Sequence, residues 1–139
     1  MDVSITFTRK GGFGKLGPKT MRLLDAAVKK TAFDIETDAK LSIMTGPKTG
    51  RTYKRGKGEH QASAPGEPPA TDYGNLVNGI STEHKKKLES WVVSAADYSL
   101  DLELGTENME ARPFMKPAVE QNEKPFFRAC AKAVRDGAR

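Results

Sequence analysis

The chain has 139 residues, of which 37% are hydrophobic, and a net charge of +5. The chain is too short for two domains of ordinary size. Its hydrophobic content is low for a self-sufficient enzyme domain. Its single cysteine excludes an intramolecular disulfide. No window approaches the roughly 20 apolar residues of a membrane span and the amino terminus lacks a secretory signal, so we expect a soluble protein, intracellular where it is made.

The amino-terminal part predicts one strand and one long helix. Residues 3–8 alternate in polarity and are rich in β-branched side chains, which predicts a short strand. Residues 9–17 form a glycine-rich connection that lacks the Gly-Lys-Ser/Thr ending of a phosphate loop. From Pro18, which suits the first position of a helix, the pattern is helical as far as Thr45. The Gly-Pro pair after Thr45 ends the helix.

One face of this helix is predicted to be buried. It carries Met21, Leu24, Val28, Thr31, Ile35, Ala39 and Ile43. Phe33 and Leu41 lie off that face but on one side together. This second apolar stripe indicates either scattered surface residues or a contact with a neighbouring subunit, since exposed apolar patches often mark contacts. Both interpretations stay open at this stage.

Residues 46–74 have almost no aliphatic side chains and are rich in glycine, proline and charge. This composition predicts a long extended loop stiffened by its prolines, and such loops are usually functional or disordered. We interpret the segment as an arm that reaches toward a partner, with a mobile surface loop as the alternative. The residues of the arm that we expect to contact a partner or another subunit are Lys48, Arg51, Tyr53, Lys54, Arg55, Lys57 and His60.

The carboxyl-terminal half predicts two strands and two helices. Residues 75–96 predict a strand pair with a polar turn near His84–Lys87, followed by alternation of Leu88, Trp91 and Val93. Residues 96–105 predict a short helix capped by Gly105. Its expected buried residues are Tyr98 and Leu102 and, as an option, Leu100.

The last helix is predicted to open at Pro117, with a kink or break at Pro125. Its apolar side is expected to carry Val119, Phe126 or Phe127, Cys130 and Val134. Cys130 is expected to be a small buried hydrophobe rather than a nucleophile. The order of elements predicts one α+β domain over residues 1–139, in which two longer helices pack on one face of a small antiparallel sheet.

No catalytic or metal-binding pattern stands out. His60 and His84 have no Asp or Cys at an orienting spacing, and His-x-x-x-His or Glu-x-x-His patterns are missing from the sequence. The acidic cluster of Asp97, Asp101 and Glu103 is interpreted as solvent-exposed or as a salt bridge between subunits rather than as catalytic. We therefore expect neither an enzyme nor a cofactor or bound metal.

The basic part of the arm also fits a nucleic-acid-binding protein, the alternative function. Residues 48–57 interleave Tyr53 with lysine and arginine, which suits phosphate neutralisation and base stacking. A helix-turn-helix, RNP-type or zinc-finger pattern does not accompany the loop in the sequence. The same basic loop is equally suited to binding an acidic surface of a partner protein.

A resemblance to a known family comes from the motifs after the arm. The proline-rich loop leads into an Asp-Tyr-Gly-Asn-Leu step, and the later strand pair is followed by Glu-Leu-Gly-Thr and Arg-Pro-Phe-Met-Lys-Pro-Ala. Over residues 20–135 this order resembles the neck and tail-completion (head–tail connector) proteins of long-tailed bacteriophages. Tyr73, Asn75 and Gly79 depart from the Thr, Arg and Ser usual in the family. The matching residues are Asp72, Gly74, Leu76, Ile80, Tyr98, Glu103, Gly105, Thr106, Arg112, Pro113, Phe114, Pro117 and Ala118.

The resemblance implies a structural virion protein at the head–tail junction, made in the host cytoplasm. It implies a ring around the DNA channel, with a hexamer favoured by the symmetry of a tail tube. Its implied partners are other copies of itself, the head-closure, tail-terminator and tail-tube proteins, and non-specifically the genomic DNA, with no membrane contact. From the residues themselves, Gly105 permits a turn, and Pro113 and Pro117 hold Phe114 as a rigid anchor.

Overall fold

The computed structural model of the chain describes residues 1–8, 16–71 and 74–139. Its elements confirm the α+β class predicted from the sequence. In chain order they are β1 (Asp2–Thr6), α1 (Pro18–Thr45), β2 (Thr52–Arg55), β3 (Gly58–Gln61), α2 (Asn75–Asn78), β4 (Ile80–Lys86), β5 (Glu89–Ser94), α3 (Ser99–Leu104) and α4 (Met115–Gly137). Most of the predicted glycine-rich connection, residues 9–15, lies outside the described residues.

The main sheet is antiparallel, with the strands in the order β1-β5-β4. The predicted strand pair is confirmed as β4 and β5, but the turn lies at residues 87–88, after the predicted position. The buried alternation on β5 belongs to Ser90, Val92 and Ser94, while Trp91 and Val93 are half-buried. Leu88 of the predicted set is buried in the turn, but Ser90 and Ser94 take inward positions on the strand, and an apolar pattern does not reveal buried serines.

The long helix α1 has the predicted limits and lies across the sheet. The predicted face is buried except for Met21, which is half-buried. The Thr82 hydroxyl on β4 donates to Glu36 Oε2 at 2.6 Å and fixes the helix on the sheet. At the carboxyl end, Lys48 Nζ donates to the carbonyls of Ile43 (2.9 Å) and Gly46 (3.2 Å). These bonds satisfy acceptors that the end of the helix leaves unpaired.

The last helix α4 is continuous through Pro125, so of the kink or break predicted there, the break does not occur. Proline leaves the carbonyl of Gln121 without its helical donor, but both residues are exposed and water can replace the missing bond. Cys130 is buried as predicted, Phe126 is half-buried, and Phe127 is exposed. Val134 is exposed, contrary to the prediction, because Ala133 takes the inward position in the last turns.

Helices α1 and α4 pack antiparallel. Toward the amino-terminal end of α4, Asn122 Nδ2 donates to Asp38 Oδ2 at 2.6 Å. At the other end, Gly137 lies so close to Thr20 that an added Cβ would be 2.1 Å from the Thr20 hydroxyl. The main core lies between this helix pair and the sheet. It contains Ile5, Val28, Ala32, Ile35, Ala39, Ile43, Leu76, Ile80, Val92, Phe114, Met115 and Ala118.

The short helices α2 and α3 join the sheet to the rest of the chain. Helix α2 was not predicted, and it follows Gly74, whose φ of 75° is left-handed. Helix α3 was predicted, but its inward residues are Ser99 and Leu102. The prediction that Tyr98 and Leu100 are buried is wrong, because the Ser99 hydroxyl turns in to bond the Ser94 hydroxyl at 2.6 Å.

Candidate subunit-contact site

The carboxylate of Glu103 joins α3 to the start of α4. Its Oε2 accepts hydrogen bonds from the amides of Phe114 and Met115, both at 2.9 Å, and its Oε1 accepts from the amide of Lys116 at 2.7 Å. The first amides of a helix have no partner within the helix, and a negative charge is favourable at that end. The glutamate of the motif is therefore a capping group that reaches from another helix.

The glycine of the motif makes the turn that lets Glu103 meet α4. Gly105 has φ 78° and ψ 172°, a conformation that is essentially restricted to glycine. A Cβ at this position would lie 2.9 Å from both Ala111 N and Met109 O. The next residue, Thr106, donates its amide to Met109 O at 2.7 Å. The Gly-Thr step thus closes a tight loop, as predicted for Gly105.

The Arg-Pro-Phe run ties the arm to the body. The Arg112 amide donates to Leu102 O at 2.6 Å, and its guanidinium Nε and Nη2 donate to Ser63 O at 3.4 and 3.3 Å. Phe114 is fully buried in the main core, and Pro113 and Pro117 are half-buried around it. The anchor expected at Phe114 is thus embedded in its own subunit.

Further bonds fix the root of the arm. The Gly66 amide donates to Ala111 O at 2.9 Å. The carboxylate of Glu67 accepts from the Thr49 amide (2.9 Å), the Thr49 hydroxyl (2.5 Å) and the Ala64 amide (2.8 Å). The hydrogen bond from the Thr49 hydroxyl, followed by the two amide bonds, lowers the pKa of Glu67 below its ordinary value. Both ends of the arm are therefore held against the body or against each other.

Between these fixed ends, residues 52–61 form a hairpin where the sequence predicted only extended chain. Strands β2 and β3 pair antiparallel, with Tyr53 opposite His60 and Lys54 opposite Glu59. Gly56 takes a φ of 59° in the connecting turn, a left-handed conformation that glycine adopts without strain. The signal was present in the Arg-Gly-Lys-Gly turn, but the strands lack the apolar alternation that usually reveals a hairpin.

The predicted contact residues of the arm separate into groups. Arg51, Tyr53, Lys54 and Lys57 are exposed on or beside the hairpin. Lys48 is not on the hairpin and instead caps α1. His60 is half-buried. For Arg55 the structure describes the backbone in β2 but not the side chain, and the motif residue Asp72 lies outside the described residues.

A cavity of about 380 Å³ lies between the root of the arm and the two short helices. It brings together motif residues that are distant in sequence, among them Leu76, Tyr98 and Arg112. The predicted arm residue His60 also lines it. The other lining residues are Ala62, Ser63, Pro69, Ala70, Thr71, Asn75, Leu102 and Met109. The mixed apolar and polar lining is typical of a site that takes a side chain or small group of a partner.

Besides Phe127 and Val134 on α4, two further helices expose large apolar side chains. On α1, Phe33 is 59% exposed as predicted, and Leu41 and Met44 lie on the same side and are also exposed. We call these three residues the α1 stripe. On α3, Leu100 and Leu104 are exposed, Leu104 at 70%. Met44 and the α3 leucines were missed, because the sequence alone did not show which side of each helix the body covers.

A Ser-His-Asp cluster that the sequence did not reveal lies between β4, β5 and α1. His84 Nδ1 is 3.1 Å from Ser90 Oγ, and His84 Nε2 is 3.8 Å from Asp25 Oδ1. Ser90 is fully buried, so its hydroxyl lacks the access to substrate that a nucleophile needs. Burial would raise the pKa of Asp25, but hydrogen bonds from the Leu88 amide and Lys29 lower it overall. These contacts connect α1 to the sheet.

The structure also gives the environment of Cys130 and allows a search for metal-binding groups and membrane-spanning helices. Burial raises the pKa of the Cys130 thiol, as expected for a small hydrophobe in the core. Within residues 1–8, 16–71 and 74–139, the structure gathers no group of three or more His, Cys, Asp or Glu side chains suited to a metal ion. In the same ranges, none of the helices combines the length and apolar character needed to cross a membrane.

Comparisons of the chain with protein-family models, with curated proteins and with solved structures find no match.

Proposed function

We propose that the chain is a structural subunit of the neck of a long-tailed phage virion. In this role it forms a ring, with six copies favoured, that completes the tail and joins it to the head around the DNA channel. The observation that carries the proposal is the set of backbone contacts that the motif residues make. Glu103, Gly105 and Arg112 all fix backbone, and Arg112 also holds the root of the basic hairpin through Ser63 O.

The exposed side chains support a role in assembly. The α1 stripe and the α3 leucines lie on different helices of the same subunit. Exposed apolar side chains of this kind often mark contacts, and contacts between different surfaces of neighbouring copies generate a ring when the rotation closes. The head-closure, tail-terminator and tail-tube proteins are the proposed neighbours above and below the ring. The proposed location is therefore the virion, after synthesis in the host cytoplasm.

An add-back experiment tests this proposal. Heads and tails are purified from phage particles that lack this protein, and the purified chain is returned to them. The neck assignment predicts that joined particles, counted by electron microscopy, appear only after the addition. Heads and tails that join equally well without the chain would refute it.

The hairpin favours a second candidate, a small nucleic-acid-binding protein that acts through residues 48–57. Arg51, Lys54 and Lys57 are exposed on or next to the hairpin, and the exposed Tyr53 can stack on a base. Neutralising these three cations to glutamine should then lower DNA affinity and reduce the dependence of the affinity on salt by roughly one phosphate contact each. Under the neck assignment the wild-type chain binds DNA only weakly, and the same variant impairs joining instead.

A further inference from the structure

Two segments of the chain carry charge of opposite sign. Residues 51–61, which contain the hairpin, have four lysines and arginines and one carboxylate, that of Glu59. Residues 97–110 have five carboxylates and neither lysine nor arginine. In a chain with a net charge of +5, the second segment is a local acidic surface whose sign is opposite to that of the hairpin.

The acidic segment also presents an apolar centre. Helix α3 turns Ser99 and Leu102 inward and uses Glu103 to cap α4, which leaves its opposite side in solvent. Within the described residues, the carboxylates on this side make no ion pair. We call these residues the α3 face: Leu100, Asp101 and Leu104 on the helix, Asp97 before it and Glu107 after the Gly105 turn, all exposed.

The hairpin presents the complementary set. The exposed residues Arg51, Tyr53, Lys54 and Lys57 are called the hairpin surface. Tyr53 and Lys54 point to opposite faces of β2, and the exposed Glu59 lies opposite Lys54. In the described part of the chain, the three cations make no ion pair either. The cations and carboxylates of these two surfaces therefore form no ion pair with each other within the described part of one copy.

We propose that the hairpin surface of one copy docks on the α3 face of a second copy, an inference that rests on the proposed ring and names its subunit contact. The leucines and the Tyr53 ring supply an apolar centre, and the charges supply a polar rim of matching sign. Such complementarity sets the partner and the register of a contact. Because the two surfaces differ, the contact repeats from copy to copy around a ring.

Two charge-reversed variants test the contact. The hairpin-reversed chain carries Arg51→Glu, Lys54→Glu and Lys57→Glu, and the face-reversed chain carries Asp97→Lys, Asp101→Lys and Glu107→Lys. Each variant alone brings like charges together, so ring formation on tail tubes, measured by light scattering, should weaken at least about tenfold. An equimolar mixture should restore the ring, because each acidic hairpin then meets a basic α3 face and each basic hairpin meets an acidic one.

A matched control reverses the same number of cations elsewhere. Lys124→Glu, Arg128→Glu and Lys132→Glu change three exposed residues of α4 and alter the net charge by the same amount as the hairpin reversal. This control should assemble like the wild type. Circular dichroism of every variant should be that of the folded wild type, since all the substituted side chains are exposed.

The outcomes separate this inference from the proposed function. If the wild type and both reversed chains form rings equally well, the contact is overturned while the ring stands. If each variant fails and the mixture fails as well, the contact is also overturned, because pairing of the two surfaces was not the cause. If the wild type stays monomeric on tail tubes and does not restore joining, the contact and the neck assignment fall together.

Discussion

At the scale of single residues, Glu103 is the most informative position. Its carboxylate holds three amides at the start of α4, and hydrogen bonds to a charged acceptor contribute more than neutral ones. Glu103→Ala should lower the free energy of unfolding by about 1–3 kcal/mol, measured by urea denaturation. Glu107→Ala, which removes an exposed carboxylate nearby, is the control and should change stability by less than about 0.5 kcal/mol. Equal effects of the two substitutions would contradict the capping role.

Gly105 gives a second prediction at this scale. Its backbone conformation is strained for any residue with a Cβ, and an added Cβ would meet Ala111 N and Met109 O. Gly105→Ala should therefore destabilise the fold by at least about 1–3 kcal/mol in thermal or urea unfolding. Gly17→Ala is the comparison, because Gly17 has an ordinary φ of −70° and open space around it. A Gly105→Ala protein as stable as Gly17→Ala would show that the turn is not needed.

Glu36 gives a pH dependence. Burial is the largest influence and would raise its pKa, but hydrogen bonds from Lys40 and Thr82 together hold the pKa below its ordinary value. A carboxylate with a depressed pKa in the folded state stabilises above the unfolded pKa of about 4.3, and this contribution is lost as the pH falls through the folded pKa.

The corresponding test compares wild type with Glu36→Gln in urea unfolding from pH 7 to pH 3. The wild type should be more stable by about 1–2 kcal/mol at pH 7, and the difference should shrink as the pH falls below about 4. Glu123→Gln, at an exposed position on α4, should follow the wild-type curve. A difference that stays constant with pH would rule out the ionised contact.

At the scale of elements, Pro125 interrupts the hydrogen bonding of a helix that nevertheless continues. Pro125→Ala restores an amide that can donate to the carbonyl of Gln121, and alanine favours a helix over proline by about 3 kcal/mol. The substitution should therefore raise the free energy of unfolding by about 1–3 kcal/mol. Lys124→Ala, one residue earlier and also exposed, should have little effect. A less stable Pro125→Ala protein would mean that the proline serves the packing of α4.

The sequence predicted the elements whose pattern is local. Helix α1 was placed from Pro18 to Thr45 because a long amphipathic pattern, a first-turn proline and a Gly-Pro ending agree. The hairpin β2–β3 was missed because its exposed strands carry no apolar alternation. The orientation of α3 was wrong because Ser99, a polar residue, faces inward and is satisfied by Ser94.

The candidate site could be predicted only in part. The turn at Gly105 follows from the residue type, and the exposure of Phe33 follows from its position on the helix. The capping by Glu103 and the bond from Arg112 to Ser63 depend on contacts between distant segments. One sequence without such tertiary information does not specify which amides a glutamate will meet, and therefore the role of Lys48 as a helix cap was also missed.

At the scale of the whole molecule, the hairpin surface and the α3 face belong to one subunit, in which His60 of the hairpin and Tyr98 at the start of α3 line the same cavity. Both surfaces are exposed to solvent in one copy, and the proposed contact covers them with a second copy. The neck assignment therefore describes the role of the assembled ring. The isolated chain is expected to be either a ring already or a monomer that becomes a ring on a template. Arg112 and Glu67 fix the root of the arm, which positions the hairpin for the proposed contact.

The most direct test is the mass of the purified chain, measured by light scattering alone and after mixing with tail tubes. The neck assignment predicts a ring, or a monomer that becomes one on the end of the tube. The α1-stripe variant Phe33→Ser with Leu41→Ser should remain folded. Its mass on tail tubes shows whether the ring also depends on an apolar subunit contact of that helix. A wild-type monomer that ignores the tubes and binds DNA with a steep salt dependence would contradict the assignment and favour the nucleic-acid-binding alternative.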